Sequence, residues 1–294
     1  MSIRWRNLCL QEAVWHGMIA GMMYRTVVIT GASSGFGKAF AEKLASHCEH
    51  IILIARSEDT LNTLAEQLTA TNPLLKAEVW CCDLANTAQR NELTARLTNV
   101  KSEKMLLINN AGLGDYGEFS TSLPETNRTL MEVNMTAPVE LTRAMLPAMK
   151  EAQKAHIINV ASLAADLPIP DFAMYAASKA FVASFSEALR IELLKTGIHV
   201  TAVCPGPVHT GFGDAAKRTV GKKKEASFRK CFYSTIPCVV ETALKAVTAN
   251  KPRCYPSFKI KAAGLLIRNT PLWLLRLILG TRPRKTTIGT ENKQ

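Results

Sequence analysis

The 294-residue sequence has eight cysteines but no Cys-x-x-Cys pair and no Cys/His cluster at metal-ligand spacing. Zinc-finger, iron–sulfur and disulfide-scaffold classes are thereby excluded, and no metal site is expected. Mostly buried, reduced thiols are the expectation, and with them a reducing, cytoplasmic compartment. There is no internal repeat, no low-complexity tract and no glycine excess, with 16 Gly and 13 Pro, which removes collagen-like and disordered readings. The N-terminus lacks an unbroken apolar run, because Gln11, Glu12 and His16 interrupt it. It is too polar for a spanning helix and poor as a secretory segment. Residues 1–22 are therefore read as an appendage, which an overcalled translation start would explain.

Acidic residues are also scarce, 24 against 36 basic, giving a formal net charge of +12. The excess is localised. Residues 215–230 carry seven Lys/Arg against Glu225 alone, and residues 251–294 carry ten against Glu291 alone, so the main body is close to neutral. Nucleic-acid binding is not expected, since its usual footprint is a basic face on the fold itself, with interleaved aromatics.

What is present is an alternation of short apolar runs with amphipathic stretches. The runs are Thr26–Ile29, Ile51–Ile54, Ala77–Cys82, Met105–Ile108, His156–Val160 and Ile198–Val203. Between them lie helical patterns at Lys38–His47, Asp59–Leu68, Ala88–Leu97, Glu125–Met149 and Met174–Leu194. Continuous apolar strands with helical crossovers predict an α/β, Rossmann-type doubly wound, mostly parallel sheet with helices on both faces. A seventh strand is expected within Lys251–Ser257, held to an edge by Pro252 and Pro256. One domain over residues 23–257 accounts for these elements, with a substrate loop at about 207–236 and a basic, apolar tail at 258–294.

The first strand runs directly into Thr30-Gly31-Ala32-Ser33-Ser34-Gly35-Phe36-Gly37 and then a helix. Glycines permit a tight turn and close backbone approach, and the helix start presents free N–H groups to a pyrophosphate. A plain turn is the simpler alternative. The second strand ends at Arg56 with no acid in its place. An arginine there accommodates a ribose 2′-phosphate and favours NADP(H) over NAD(H), unless it is only a solvated surface residue. Tyr175 and Lys179 stand at i, i+4 in a helical pattern, one above the other on a shared face. A neighbouring ammonium stabilises phenolate and would lower the tyrosine pKa toward the working range. Ser162, at the end of the fifth strand, can reach the same carbonyl oxygen.

Taken in order, these motifs resemble the short-chain dehydrogenase/reductase family, in particular its 3-oxoacyl-reductase-like and hydroxysteroid-dehydrogenase-like members. The resemblance runs from Arg25 to about Ser257. It rests on the glycine loop, Cys82-Asp83-Leu84, Asn109-Asn110-Ala111-Gly112, Asn134, Ser162, the Tyr175/Lys179 pair, and Pro205-Gly206 with Val208 and Thr210. The resemblance implies an NAD(P)-dependent oxidoreductase with Tyr175 as general acid or base. Lys179 would lower its pKa and hold the nicotinamide ribose, Ser162 would polarise the substrate carbonyl, and Asn134 would hold a water linking Lys179 to solvent. Asp83 and Leu84 would flank the adenine, while Asn109, Asn110, Ala111 and Gly112 would line the cofactor cleft, Asn109 also bracing the sheet. Thr210 would hold the carboxamide. Family members commonly form homodimers or tetramers.

Plainer readings stand beside these. Asn134 could kink or cap its helix, Ser162 could cap a strand end, and Asp83 could start the next helix. Cys204 reads as a small buried apolar residue. The expected substrate is a hydrophobic carbonyl or alcohol, with a 3-oxoacyl thioester or a lipid- or steroid-like ketone favoured. An NADP-binding regulator without turnover, or an NAD-dependent alcohol dehydrogenase, is the alternative. Lys222-Lys223-Lys224 with Arg229 and Lys230 could attract an anionic substrate or lipid headgroups, or be a solvated lid. In the tail, Arg268, Pro271 and Arg276 interrupt Phe258–Leu279, and each central Arg costs about 2.5–3.5 kcal/mol to insert. Spanning is not expected. A basic-flanked helix lying at a membrane surface, a flap over the substrate pocket and a subunit contact are the three readings left.

Overall fold

A computed structural model of the chain describes residues 24–208, 211–216 and 233–280. The appendage at 1–22, Thr210, the basic cluster Lys222–Lys224 with Arg229 and Lys230, and the tail beyond 280 lie outside the described residues.

Seven parallel strands form one sheet in the order β3-β2-β1-β4-β5-β6-β7. They are β1 Tyr24–Thr30, β2 Cys48–Ala55, β3 Lys76–Cys81, β4 Lys104–Asn109, β5 Lys154–Val160, β6 Ile198–Val203 and β7 Arg253–Cys254. The helices are α1 Gly35–Leu44, α2 Glu58–Thr71, α3 Thr87–Leu97, α4 Pro124–Met131, α5 Ala137–Glu151, α6 Ala173–Glu192, the short α7 Gly211–Ala215, α8 Ile236–Thr248, α9 Phe258–Asn269 and α10 Leu272–Gly280. The strands are apolar on both faces because both faces are covered. Val27 and Ile29 pack with Phe40 and Leu61 on one side, and Val28 packs with Met145 and Leu141 on the other. Each such fully buried Leu or Ile contributes roughly 1.5–3 kcal/mol. The edge strand is two residues long, pairs only with β6, and lies between Pro252 and Pro256, as its prolines require.

Strand order reverses at β1 and β4, which are hydrogen-bonded neighbours. Ligands of such sheets bind outside the strand C-termini at that point. Thr30 and Asn109 are the last residues of these two strands.

Two helical expectations need correction. The stretch Glu125–Met149 is not one helix, because a π-helical turn, Glu132–Thr136, separates α4 from α5. Pro138 has no N–H to return to the Asn134 carbonyl four residues earlier, so the regular ladder cannot run through. In the tail, α9 and α10 are bent by 111° at Pro271, which cannot continue the helix before it. Among the described residues no single helix is long and apolar enough to cross a membrane.

Candidate active site

The glycine loop is held between β1, β2 and β4. Gly31 has φ +64, a conformation side chains rarely adopt, and an added methyl would meet the Ala111 Cα at 2.9 Å. At Gly37 a methyl would fall 2.1 Å from the Gly31 carbonyl oxygen, so only glycine lets α1 begin this close to the turn. Ser34 occupies the N-cap of α1 without a side-chain cap hydrogen bond, and no acid stands in the first turn. The helix start formed by Gly35, Phe36 and Gly37, with Ser33 and Ser34 before it, is therefore open to an anion. A dinucleotide pyrophosphate fits this cradle.

The opposite wall is pinned to the same loop. The Thr30 hydroxyl accepts the main-chain N–H groups of Asn110 and Ala111, each at 3.0 Å. The Asn110 amide donates to the carbonyls of Thr30 and Gly31, and Gly112 backs onto the Lys179 ammonium. Asn109 braces the sheet as expected, donating to Asn159 and Thr142. Its side chain is buried in that network rather than displayed along the cleft. At the end of β2, Arg56 is exposed and no carboxylate among the described residues pairs with it; its carbonyl accepts the Cys81 thiol.

Asp83 and Leu84 follow β3. The Asp83 carboxylate accepts the Ala85 N–H at 3.0 Å, and Leu84 is buried. Asp83 does not cap the next helix: Asn86 does, accepting from Ala88 and Gln89. The α3 side chains clamp this segment, Gln89 accepting the Asp83 N–H and Arg90 donating to the Leu84 carbonyl. Arg90 is 2% exposed and also meets Glu132 of the π turn, at 2.7 Å, and Glu140 of α5. This arginine, hidden in an ordinary amphipathic pattern, was not legible as a site residue.

Tyr175, Lys179, Ser162 and Asn134 converge. Helix α6 carries Tyr175 and Lys179, which are 9% and 4% exposed. The Ser162 hydroxyl lies close enough to the Tyr175 phenol to draw its pKa down, and it accepts the Ala164 N–H at 3.1 Å, as the capping reading expects. The Lys179 Nζ lies 5.7 Å from the Tyr175 ring centroid and donates to the Val160 carbonyl. Burial pushes the Tyr175 phenol up to about 12, and the group drawing it down is Ser162. The expected downward pull from Lys179 is not what sets this phenol, because burial outweighs it. The same burial lowers Lys179 to about 8.

The Asn134 side chain is taken up by protein partners. Its amide accepts the Leu113 N–H at 2.7 Å and donates to the Leu113 carbonyl and the Ser178 hydroxyl, both at 2.9 Å. Pro138 leaves the Asn134 carbonyl, not its amide, without the ordinary helical donor. Ser178, which donates in turn to the Tyr175 carbonyl, was missed by sequence reasoning.

An aromatic cluster was missed as well. Phe172 stacks on Tyr175 with centroids 4.2 Å apart, Phe212 of α7 leans on the same ring at 5.5 Å, and Tyr116 meets Phe172 edge-on. The Tyr116 N–H donates to the Ala216 carbonyl, which ties the end of α7 to the segment after β4. Tyr116 and Phe212 lie too far from Tyr175 in sequence for periodicity to link them, whereas Phe172, three positions before it, is flagged only by the Tyr-x-x-x-Lys motif. Pro205 and Gly206 sit beyond β6, where the Pro205 carbonyl accepts the Leu163 N–H at 2.8 Å. Val208 bridges to Ser234. Cys204 is fully buried, its thiol pushed up to about 12 by desolvation, and is inert packing as expected.

The family profile described as short chain dehydrogenase matches residues 25–221. The very-long-chain 3-oxoacyl-CoA reductase of Mus musculus is 33% identical over 215 residues, 71% of this chain and 67% of that protein. The structure of a short-chain dehydrogenase from Sphingobium yanoikuyae in complex with NADPH has a TM-score of 0.72 at 28% identity, over 90% of this chain and 99% of the other. A short-chain dehydrogenase/reductase from Burkholderia phymatum in complex with NAD gives 0.71 at 26%, over 89% and 97%.

Proposed function

The chain belongs to the short-chain dehydrogenase family, and we propose that this oxidoreductase uses NADP(H) to interconvert the carbonyl and alcohol of a hydrophobic, acyl or lipid-like substrate. The bound nicotinamide supplies or accepts the hydride. The protein handles the matching proton. In reduction the Tyr175 hydroxyl donates to the carbonyl oxygen, and in oxidation its phenolate takes the proton from the alcohol. With its pKa raised to about 12 by burial, the phenol carries its proton throughout the neutral range, as a proton donor must.

Ser162 supplies a second donor to the same oxygen and so opposes the cost of charge developing there. Lys179, buried and held by the Val160 carbonyl, presents its remaining N–H donors to ribose hydroxyls and relays a proton to Tyr175. We assign the relay water to the Asn134 carbonyl rather than its amide, because the amide is committed to Leu113 and Ser178. The glycine loop holds the pyrophosphate, Asp83 and Leu84 flank the adenine, and Arg56 takes the 2′-phosphate.

The observation that carries this reading is the Ser162–Tyr175–Lys179 arrangement at the strand ends, beside the glycine cradle. The hydrophobic substrate class is supported by Phe172 and Phe212 against the Tyr175 ring. It is supported also by the acyl substrate in the mouse relative's name. Reduction of 3-oxoacyl thioesters of increasing chain length, followed as NADPH consumption, tests it. Each methylene seated on the aromatic wall is worth about 0.8 kcal/mol, so kcat/KM should climb several-fold per carbon until the site is filled. A flat series, or a preference for short hydrophilic ketones, overturns the substrate class.

A further inference from the structure

Helices α9 and α10 take no part in the reaction, yet they hold most of the large apolar side chains left on the described surface. Along α9, Ile260 and Gly264 are buried against the domain. A methyl at Gly264 would lie 2.7 Å from the Tyr255 ring, so the helix is seated very close. Tyr255 is itself fixed: its hydroxyl donates to Asp166 at 2.8 Å, and Asp166 also pairs with Arg253. The orientation of α9 is thus set, and its opposite face points away from the protein.

That outward face has a definite pattern. Phe258, Ala262 and Leu265 follow i, i+4, i+7 spacing and lie in one line. Phe258 is 84% exposed and neighbouring Leu266 is 71% exposed. Lys259 flanks the line on one side, Lys261 and Arg268 on the other, all exposed, with Arg268 also 3.9 Å from the Asp166 carboxylate. After the bend, Leu272, Trp273 and Leu277 of α10 are each at least 60% exposed, with Arg276 among them. From residue 251 to 280 there are six Lys/Arg and no Asp or Glu.

We propose that this bent helix pair is a docking surface for an anionic lipid bilayer. An apolar strip bordered by cations seats its hydrophobic side chains at the acyl boundary while the ammonium and guanidinium groups meet lipid phosphates. A second copy of the chain is the poorer occupant, because a symmetric contact would bring like charges together and residues 251–280 carry no carboxylate of their own to answer them. The pair lies on the bilayer rather than across it. Its 12-residue and 9-residue helices are about 18 and 14 Å long, against a hydrocarbon core of about 30 Å. Docking also places the bilayer beside the segment Leu163–Asp166 that follows Ser162, since Asp166 anchors Tyr255 beneath α9.

Flotation of the full chain with vesicles tests this, comparing phosphatidylcholine alone with phosphatidylcholine containing phosphatidylglycerol. The chain should float with the anionic vesicles, less with the neutral ones, and less as salt is raised. The Phe258→Ser/Leu266→Ser/Trp273→Ser variant should lose at least about tenfold in vesicle affinity with its melting temperature unchanged. Should that variant fold poorly, Lys259→Glu/Lys261→Glu, confined to exposed lysines, decides alone by weakening only the anionic binding about tenfold or more. Equal recovery on both lipids overturns the proposal, as does binding that neither variant alters. Light scattering that finds the chain dimeric and the serine variant monomeric, with vesicle binding unchanged, assigns the face to self-association instead.

Discussion

The Lys179 ammonium donates to the main-chain carbonyl of Val160, the last residue of β5, at 2.9 Å. A helix side chain thereby reads the position of a strand end, and the group proposed to handle the ribose and the proton is fixed by the sheet rather than by a loop. Burial is the cost: it lowers the Lys179 pKa to about 8.

That cost has a pH signature. The folded value of about 8 lies below the unfolded value of about 10.4, so holding the charged form opposes folding. The penalty is complete below about pH 8 and fades as pH rises toward 10.4, because the folded state sheds this proton first. Lys179→Met removes the titration. Urea unfolding should show wild type gaining about 2 kcal/mol on the variant between pH 7 and pH 9.5. The orphaned Val160 carbonyl adds an offset that does not depend on pH. A constant difference between the two proteins argues against a buried, titrating Lys179.

Arg56 is exposed at the end of β2, without a carboxylate partner among the described residues. Arg56→Asp exchanges the proposed 2′-phosphate ligand for an acceptor suited to a ribose hydroxyl. The NADPH/NADH ratio of kcat/KM should fall by about tenfold to a hundredfold, mainly through the KM for NADPH. An unchanged ratio removes Arg56 from cofactor selection.

Arg90 joins three parts of the site by meeting Glu132, Glu140 and the Leu84 carbonyl while almost fully buried. Arg90→Met leaves those acceptors unanswered; breaking a fully buried ion pair from one side costs about 3–5 kcal/mol, and here the loss falls toward the lower end because water reaches both carboxylates, each 36% exposed. Denaturant unfolding should show a loss of that order, and the KM for the cofactor should rise because the adenine-flanking segment is no longer clamped. A loss under about 1 kcal/mol shows the cluster to be no stronger than a surface pair.

What the sequence disclosed follows from which interactions are local. Strand runs such as Ile51–Ile54 are continuous because both sheet faces are covered, and the Tyr175/Lys179 spacing is a property of one helix. Glycines at 31 and 37 stand where no Cβ fits, and residue type alone announces that. The π turn was in principle legible from Pro138 opposite the Asn134 carbonyl, yet amphipathic periodicity runs through it undisturbed. The packing of Phe212 on Tyr175 and the hydrogen bond from Tyr255 to Asp166 bring together residues whose separation no pattern spans. The Tyr175 pKa is hidden from the sequence for a related reason: a neighbouring charge shows in the spacing, whereas desolvation depends on everything packed around the ring.

The central claim is that the Tyr175 hydroxyl is the proton donor to a substrate carbonyl. Comparing steady-state NADPH oxidation by wild type and Tyr175→Phe on the best 3-oxoacyl thioester tests it most directly, with NADPH affinity and melting temperature measured alongside. Loss of a positioned general acid lowers kcat by about 10²–10⁴-fold, while cofactor binding and stability stay close to wild type. A phenylalanine variant that keeps more than about a tenth of the wild-type kcat contradicts the account.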